Sequence, residues 1–105
     1  MKAMKVFVTV PRADAEALRR AIGESGGGKI GNYSFCSFSY PGVGRFRPEE
    51  GANPAVGEVG KLEEVEEEKI EFVCASESLP AVIAAIKDVH PYEEPAIDAF
   101  PVEIF

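Results

Sequence analysis

The sequence predicts an α+β fold in which one antiparallel β-sheet is covered on one face by two helices. Three observations support this prediction. Strand and helix patterns follow one another in the order strand, helix, strand, strand, helix, strand. The chain has 105 residues, close to the commonest domain size, and 46% of them are hydrophobic, which is enough for one core. We therefore expect a single domain over residues 1–105.

The first strand and first helix are the clearest elements of the N-terminal half. Residues 5–10 are β-branched or aromatic apart from a lysine at the start, and Pro11 ends this run, which is typical of a buried strand. Residues 14–23 carry apolar side chains near helical spacing, namely Ala15, Leu18 and Ile22. A run of three glycines at 26–28 then ends the predicted helix.

The second and third strands are predicted from alternation. Residues 33–40 place Cys36, Phe38 and Tyr40 on one face, and an acidic run over 63–68 leads into the alternating Ile70, Phe72 and Cys74. The intervening segment 41–60 is rich in glycine and proline, which predicts a long, turn-rich hairpin.

The last two elements complete the order. Pro80 suits the first turn of a helix over 79–89, whose inward stripe comprises Val82, Ile83, Ile86 and Val89. Residues 97–104 alternate and form the last predicted strand. The resulting βαββαβ order is the split-βαβ or ferredoxin-like pattern.

The two cysteines have no CxxC spacing, which argues against a zinc-finger or thioredoxin-type motif. In the predicted topology the second and third strands are antiparallel neighbours, and a register that sets Cys36 opposite Cys74 also sets Phe38 opposite Phe72. This register predicts two neighbouring, buried and reduced thiols. A redox pair or a soft-metal site is the alternative.

Charge and hydropathy exclude some partners. Eighteen acidic and eleven basic residues give a net charge of −7, so nucleic acid and anionic membranes are not expected partners. No apolar stretch approaches the roughly 20 residues of a membrane span, and residues 1–6 lack the pattern of a signal peptide. We expect a cytoplasmic protein.

Residues 90–95, His-Pro-Tyr-Glu-Glu-Pro, concentrate more chemistry than any other segment, including the single histidine of the chain. Pro91 disfavours helical geometry at His90, so this residue should end the second helix. His90 and Glu93 are candidate ligands for a divalent metal ion. The alternative is structural, with His90 capping the helix while Tyr92 and the prolines pack.

The topology also predicts which segments share this end of the sheet. The loop at 90–95 should lie beside the end of the first strand and the segment 41–60, so the candidate ligand site comprises His90, Tyr92, Glu93 and Asn53. The glycines of 41–60 match no phosphate-binding motif. The acidic run at 63–68 is interpreted as a solvated, charged edge of the sheet.

Three motifs resemble a known family: Gly-Asn-Tyr-Ser at 31–34, Gly-Ala-Asn-Pro at 51–54 and His-Pro-Tyr-Glu-Glu-Pro at 90–95. Together with residues 42–48 and 60–63, they are similar to the domain inserted into YqfO-type proteins, the Nif-three-like (NGG-one-interacting-factor-like) family. The resemblance covers nearly the whole chain. It implies a compact βαββαβ domain related to CutA and PII, assembled as a homotrimer or a higher multiple.

The chain also departs from that family. Full-length members carry a separate core whose histidines and acidic residues bind two metal ions, and some are regarded as GTP cyclohydrolase-like, whereas this chain has one histidine. The resemblance therefore implies a free-standing, non-catalytic regulatory or sensor-type domain that binds a small ligand or a divalent cation at subunit clefts. The alternatives are a structural oligomerisation module and a hydrolase with His90 as general base.

Overall fold

A computed structural model describes residues 2–105, so Met1 of the predicted domain lies outside the described residues. The four strands form one antiparallel sheet in the order β2-β3-β1-β4. The elements are β1 (Lys2–Pro11), α1 (Ala15–Glu24), β2 (Phe38–Phe46), β3 (Glu63–Cys74), α2 (Leu79–Val89) and β4 (Ile97–Glu103). The predicted ferredoxin-like βαββαβ fold is confirmed.

The core lies between the sheet and the two helices. Alternation along β1 turns every second side chain toward the helices, and alternate residues of β3 do the same. Each of the large side chains fully removed from solvent contributes about 1.5–3 kcal/mol of hydrophobic free energy. These side chains are Val6, Val8, Val10, Leu18, Ile70, Val82 and Ile86. Among residues 2–105, no helix packs against the opposite, outer face of the sheet.

The predicted register between β2 and β3 is wrong by one residue. Phe38 lies opposite Glu71 instead of Phe72, and Tyr40 lies opposite Lys69. Cys36 does not pair with β3 because Gly28 lies between them: the Gly28 N–H donates to the Val73 carbonyl at 2.7 Å, and its carbonyl accepts from the Cys36 N–H at 2.8 Å. Gly28 thus occupies the place beside β3 that the sequence analysis gave to Cys36.

The cysteines accordingly differ in their surroundings. Both are free thiols, but Cys36 lies before β2 and is only half-buried, whereas Cys74 is buried at the end of β3. Burial raises the pKa of the Cys74 thiol. Cys74 therefore behaves as a small apolar core residue.

β2 lies later in the chain than the sequence pattern indicates. It continues through Pro41, Gly42 and Gly44 to Phe46, where turns were predicted. Because β2 is an edge strand, one side of its backbone needs no ladder partner, and proline is tolerated there. The irregular segment is therefore shorter than predicted, and we call residues 47–62 the long loop.

The acidic run lies on β3, and only its last part is inside the sheet. Residues 67 and 68 pair with both β2 and β1, whereas residues 63–66 pair with β2 alone and so keep one open edge, as predicted. Glu68 forms an ion pair with Arg19 at 2.6 Å, and Glu67 is buried. Only part of the run is therefore solvated, because neighbours outside the run cover individual members of it.

The other edge strand is β4, which pairs with β1 alone. Phe100 on this strand packs against Phe7 at 5.4 Å between ring centroids, yet it remains exposed together with Phe38 and Phe105. Packing of this strand against a neighbouring subunit stays a prediction. None of the helices among residues 2–105 has the length and apolar character that a membrane crossing requires.

Candidate functional site

A cavity of about 830 Å³ opens on the outer face of the sheet, and we call it the cleft. Its walls come from the end of β2, the long loop and residues 92–96, and Glu67 of β3 lies in its lining. The size is within the usual range for small-molecule sites. Of the four predicted site residues, Tyr92 and Glu93 line the cleft. His90 and Asn53 are outside its lining but form hydrogen bonds with residues that line it.

The end of α2 positions the His-Pro-Tyr-Glu-Glu-Pro loop. His90 is the C-terminal cap of the helix, as predicted, with extended backbone angles and its N–H donating to the Ile86 carbonyl at 2.8 Å. Pro91 favours this change from helical to extended geometry. The chain therefore leaves the helix in a defined direction, toward β1 and the long loop.

The His90 side chain fixes this loop to the sheet. It is only 6% exposed, its Nε2 lies 2.7 Å from the Thr9 carbonyl oxygen, and its Nδ1 lies 3.1 Å from the Tyr92 backbone nitrogen. A carbonyl can only accept and an amide N–H can only donate, so these partners select the neutral tautomer with the proton on Nε2. His90 thereby links the end of α2 to β1 and orients Tyr92.

A divalent metal does not fit His90 and Glu93 in this arrangement. Both imidazole nitrogens already have backbone partners, so neither has a lone pair to give a metal ion. Nor do residues 2–105 bring together any group of three or more His, Cys, Asp or Glu side chains around one point. Metal binding through His90 and Glu93 stays a prediction that requires the loop to rearrange.

Glu93 and Asn53 are brought together, as the topology predicts. The Asn53 backbone N–H donates to Glu93 Oε1 at 3.1 Å, which ties the middle of the long loop to the loop at 90–95. Asn53 contributes through its main chain, so its side-chain amide is not needed for this contact. The bond holds together two of the walls of the cleft.

Tyr92 and Glu67 form a hydrogen-bonded pair in the cleft. The Tyr92 hydroxyl donates to Glu67 Oε2 at 2.8 Å, and the Tyr92 ring meets Phe46 edge-on with 5.6 Å between centroids. Burial, with the hydrogen bond and negative charge of Glu67, raises the pKa of Tyr92. The phenol therefore stays protonated and remains a donor to Glu67 at neutral pH.

Glu67 is the main site residue that the sequence analysis missed. It is 6% exposed, and its carboxylate lies so close to Gly44 that a Cβ at residue 44 would overlap it. The alternation through Ile70 and Phe72 could have placed Glu67 on the outer face of β3. The sequence gives no sign that the long loop covers that face.

Comparisons with known proteins agree with this architecture. A GTP cyclohydrolase 1 type 2 homolog from Halalkalibacterium halodurans is 48% identical over 98 residues, which are 93% of this chain and 26% of that protein. A Bacillus cereus protein related to NIF3 has a TM-score of 0.84 at 44% identity, covering 98% of this chain and 26% of its own. No protein-family model matches the chain.

The fold is also that of CutA. The periplasmic divalent cation tolerance protein CutA from Archaeoglobus fulgidus has a TM-score of 0.69 at 24% identity, covering 100% of this chain and 87% of its own. This likeness shows the fold alone. The chain spans about a quarter of the length of the curated relatives that it matches. The resemblance found in the sequence is confirmed: this chain is similar to one segment, about a quarter of the length, of Nif-three-like (YqfO-type) proteins.

Proposed function

We propose that residues 1–105 act as a single regulatory or sensor-type domain, without catalysis of its own, that binds a small ligand in the cleft. The observation that supports this most is the cleft itself. Two predicted site residues, Tyr92 and Glu93, meet the buried Glu67 there in a cavity large enough for a small molecule. The hydrogen bonds through His90 and Asn53 preorganise its walls.

The assembly is part of the proposal. The form expected from the sequence is a homo-oligomer, a trimer or a multiple of one, in the cytoplasm, and it is kept here as a proposal. Two edge strands and exposed aromatic side chains on the outer face of the sheet suit burial between copies. A purely structural oligomerisation module would use the same surfaces but would leave the cleft without a ligand.

Two other functions are less well supported by the geometry. CutA of A. fulgidus is named for divalent cation tolerance, but a cation site at His90 would need one of its two hydrogen bonds to break. The relatives named GTP cyclohydrolase 1 type 2 homolog suggest a hydrolase. General base catalysis by His90 would meet the same obstacle, because Nδ1 already accepts a hydrogen bond from the Tyr92 backbone N–H.

The test is a titration of the ¹⁵N-labelled protein, followed by NMR amide shifts, with MgCl₂, MnCl₂, ATP and a mixture of the standard amino acids. We expect at least one probe to shift amides of Phe46, Tyr92 and Glu93. Ala55→Trp, which puts an indole at the wall of the cleft, should weaken that binding on the order of tenfold or more. Light scattering should give the same oligomeric mass for both proteins.

The matched control is Ala17→Trp, an exposed position on α1 outside the cleft. It should bind the probe as the unsubstituted protein does. Shifts that lie elsewhere, or that survive Ala55→Trp unchanged, would rule out the cleft as the ligand site.

A further inference from the structure

Glu67 is a buried carboxylate with an incomplete set of partners. Among residues 2–105, Tyr92 is the one donor to it, and this bond is made to Oε2. No fully buried side-chain oxygen in the described chain lacks a partner, so Oε1 keeps some exposed surface, and Glu67 is one of the residues that line the cleft. A carboxylate removed from water gains from each further donor, and Oε1 offers an acceptor with a fixed position.

The charges around the cleft favour a cation at this acceptor. Arg47 Nε lies 2.8 Å from Glu49 Oε1 and Arg45 Nε lies 3.8 Å from Glu64 Oε1, so both guanidinium groups of the lining already have anionic partners. The whole chain has a net charge of −7. Such a field attracts cations and repels anions. The carboxylates that line the cleft are Glu49, Glu50, Glu67, Glu93 and Glu94.

An organic cation suits this geometry better than a metal ion. Divalent metals require several oxygen ligands that converge, whereas no three acidic, histidine or cysteine side chains of residues 2–105 are arranged to hold one metal ion. A single open carboxylate oxygen instead accepts one charged N–H donor well. The rings of Phe46 and Tyr92 line the same cavity and offer aromatic surface to the rest of such a ligand.

We propose that Glu67 is the recognition group of the cleft and that its ligand is a small organic cation, with a primary ammonium or similar charged N–H donor bound to Oε1. The proposal rests on the proposed function and gives the class of its ligand. Tyr92 holds the carboxylate in place through Oε2, and Gly44 leaves the space in which the carboxylate lies. The ligand does not have to displace either contact.

The experiment compares three probes of nearly equal size: butylammonium, 1-butanol and butyrate. Each is titrated into the ¹⁵N-labelled protein at constant ionic strength and pH 7, and amide shifts are measured. Butylammonium should shift the amides of Gly44, Phe46 and Tyr92 with a Kd at least fivefold lower than that of 1-butanol. Butyrate should cause no shifts at these residues.

Two substitutions then assign the effect to Glu67. Glu67→Gln keeps the side-chain size and an acceptor for Tyr92 but removes the charge, so it should weaken butylammonium binding on the order of tenfold. Glu66→Gln makes the same charge change at an exposed neighbouring position on β3 and should change Kd less than twofold.

Each other outcome would overturn the inference in a recognisable way. If 1-butanol or butyrate binds the cleft as well as butylammonium does, the cleft takes ligands but does not select cations, and the proposed function survives. If none of the three probes binds, as when a basic side chain of a second copy already lies on Glu67, the organic-cation proposal is wrong, and the titration with metal salts, ATP and amino acids decides separately whether the cleft takes another ligand. If Glu67→Gln does not fold, the order of affinities among the three probes still decides.

Discussion

His90 and Glu67 are the two polar side chains that residues 2–105 bury most completely, each with 6% of its surface exposed. Both lie at the same end of the sheet and both contact Tyr92. They differ in their partners. His90 has a backbone partner at each ring nitrogen, whereas Glu67, which lines the cleft, has a side-chain partner at Oε2 and no hydrogen-bond partner within residues 2–105 at Oε1.

This difference separates a structural role from a binding role at one end of the molecule. A buried polar group with all its hydrogen bonds made stabilises the fold, and a ligand can add nothing to it. A buried charged group with an open acceptor retains binding capacity. His90, the most conspicuous residue of the sequence, thus fixes the loop at 90–95 to the sheet. Glu67, one glutamate of an acidic run, is the group that lines the cleft.

The largest effect is expected from His90→Ala, which removes the hydrogen bonds that fix the loop at 90–95. His90→Ala leaves the Thr9 carbonyl and the Tyr92 N–H without their partners and opens a void beneath the loop. We expect the free energy of unfolding to fall by about 3 kcal/mol, measured by urea denaturation with circular dichroism. The Tyr92 and Glu93 amides should also lose protection from hydrogen exchange, because His90 orients this segment.

Val89→Ala is the control for this substitution, since it shortens an apolar side chain at the adjacent, half-exposed position of α2. It should cost less than about 1 kcal/mol. Equal losses for the two substitutions would contradict the structural role of His90, and the His90 nitrogens would then be open to a ligand.

The structural role of His90 could be predicted from the sequence because the signals for it are local. The end of α2 at His90 follows from Pro91 and the helical stripe before it, all within a few residues. The order of elements is predicted for the same reason, because each strand and helix has its own periodicity. The meeting of the loop at 90–95 with the end of β1 then follows from topology alone.

The burial of Glu67 and the pairing of β2 with β3 depend on contacts between distant segments, which the sequence pattern does not show. Cys36 is kept away from β3 by Gly28, which inserts beside Val73 in a place that no strand pattern marks. Glu67 is buried because Gly44 and the long loop lie over it. An acidic run looks alike whether or not a loop covers one of its members.

The close approach of Gly44 to Glu67 provides the next test. A Cβ at residue 44 would overlap the carboxylate, so Gly44→Ala should displace it from Tyr92 and lower the free energy of unfolding by about 2 kcal/mol. The pKa of Tyr92, followed by absorbance during alkaline titration, should fall toward its ordinary value of 10.0.

Gly42→Ala is a close control for that substitution. Residue 42 lies on the same strand and the same face, and a Cβ there meets nothing within 4 Å. Its free energy of unfolding should stay within about 1 kcal/mol of the unsubstituted protein, with the pKa of Tyr92 unchanged. If both alanines act alike, then strand propensity, not the position of the carboxylate, explains the result.

The smallest effect expected is that of Tyr92→Phe, which cuts the link to Glu67 and leaves the backbone N–H bond to His90 intact. We expect a loss of about 1 kcal/mol at neutral pH. Because the folded pKa of Tyr92 lies above the unfolded value of 10.0, its contribution is complete below that pH and is lost as the pH rises through the folded pKa.

The unfolding free energies of the unsubstituted protein and Tyr92→Phe should therefore converge as the pH rises above the pKa of free tyrosine. Urea midpoints compared from neutral to alkaline pH measure this. If the two curves of unfolding free energy against pH stay parallel, the pKa of the Tyr92 hydroxyl does not depend on Glu67. Hydrogen exchange at the 90–95 loop should be unchanged in Tyr92→Phe at neutral pH. That result would show that the two hydrogen bonds of Tyr92 are independent. Its backbone N–H, bonded to His90, holds the loop in place, and its hydroxyl, bonded to Glu67, belongs to the cleft.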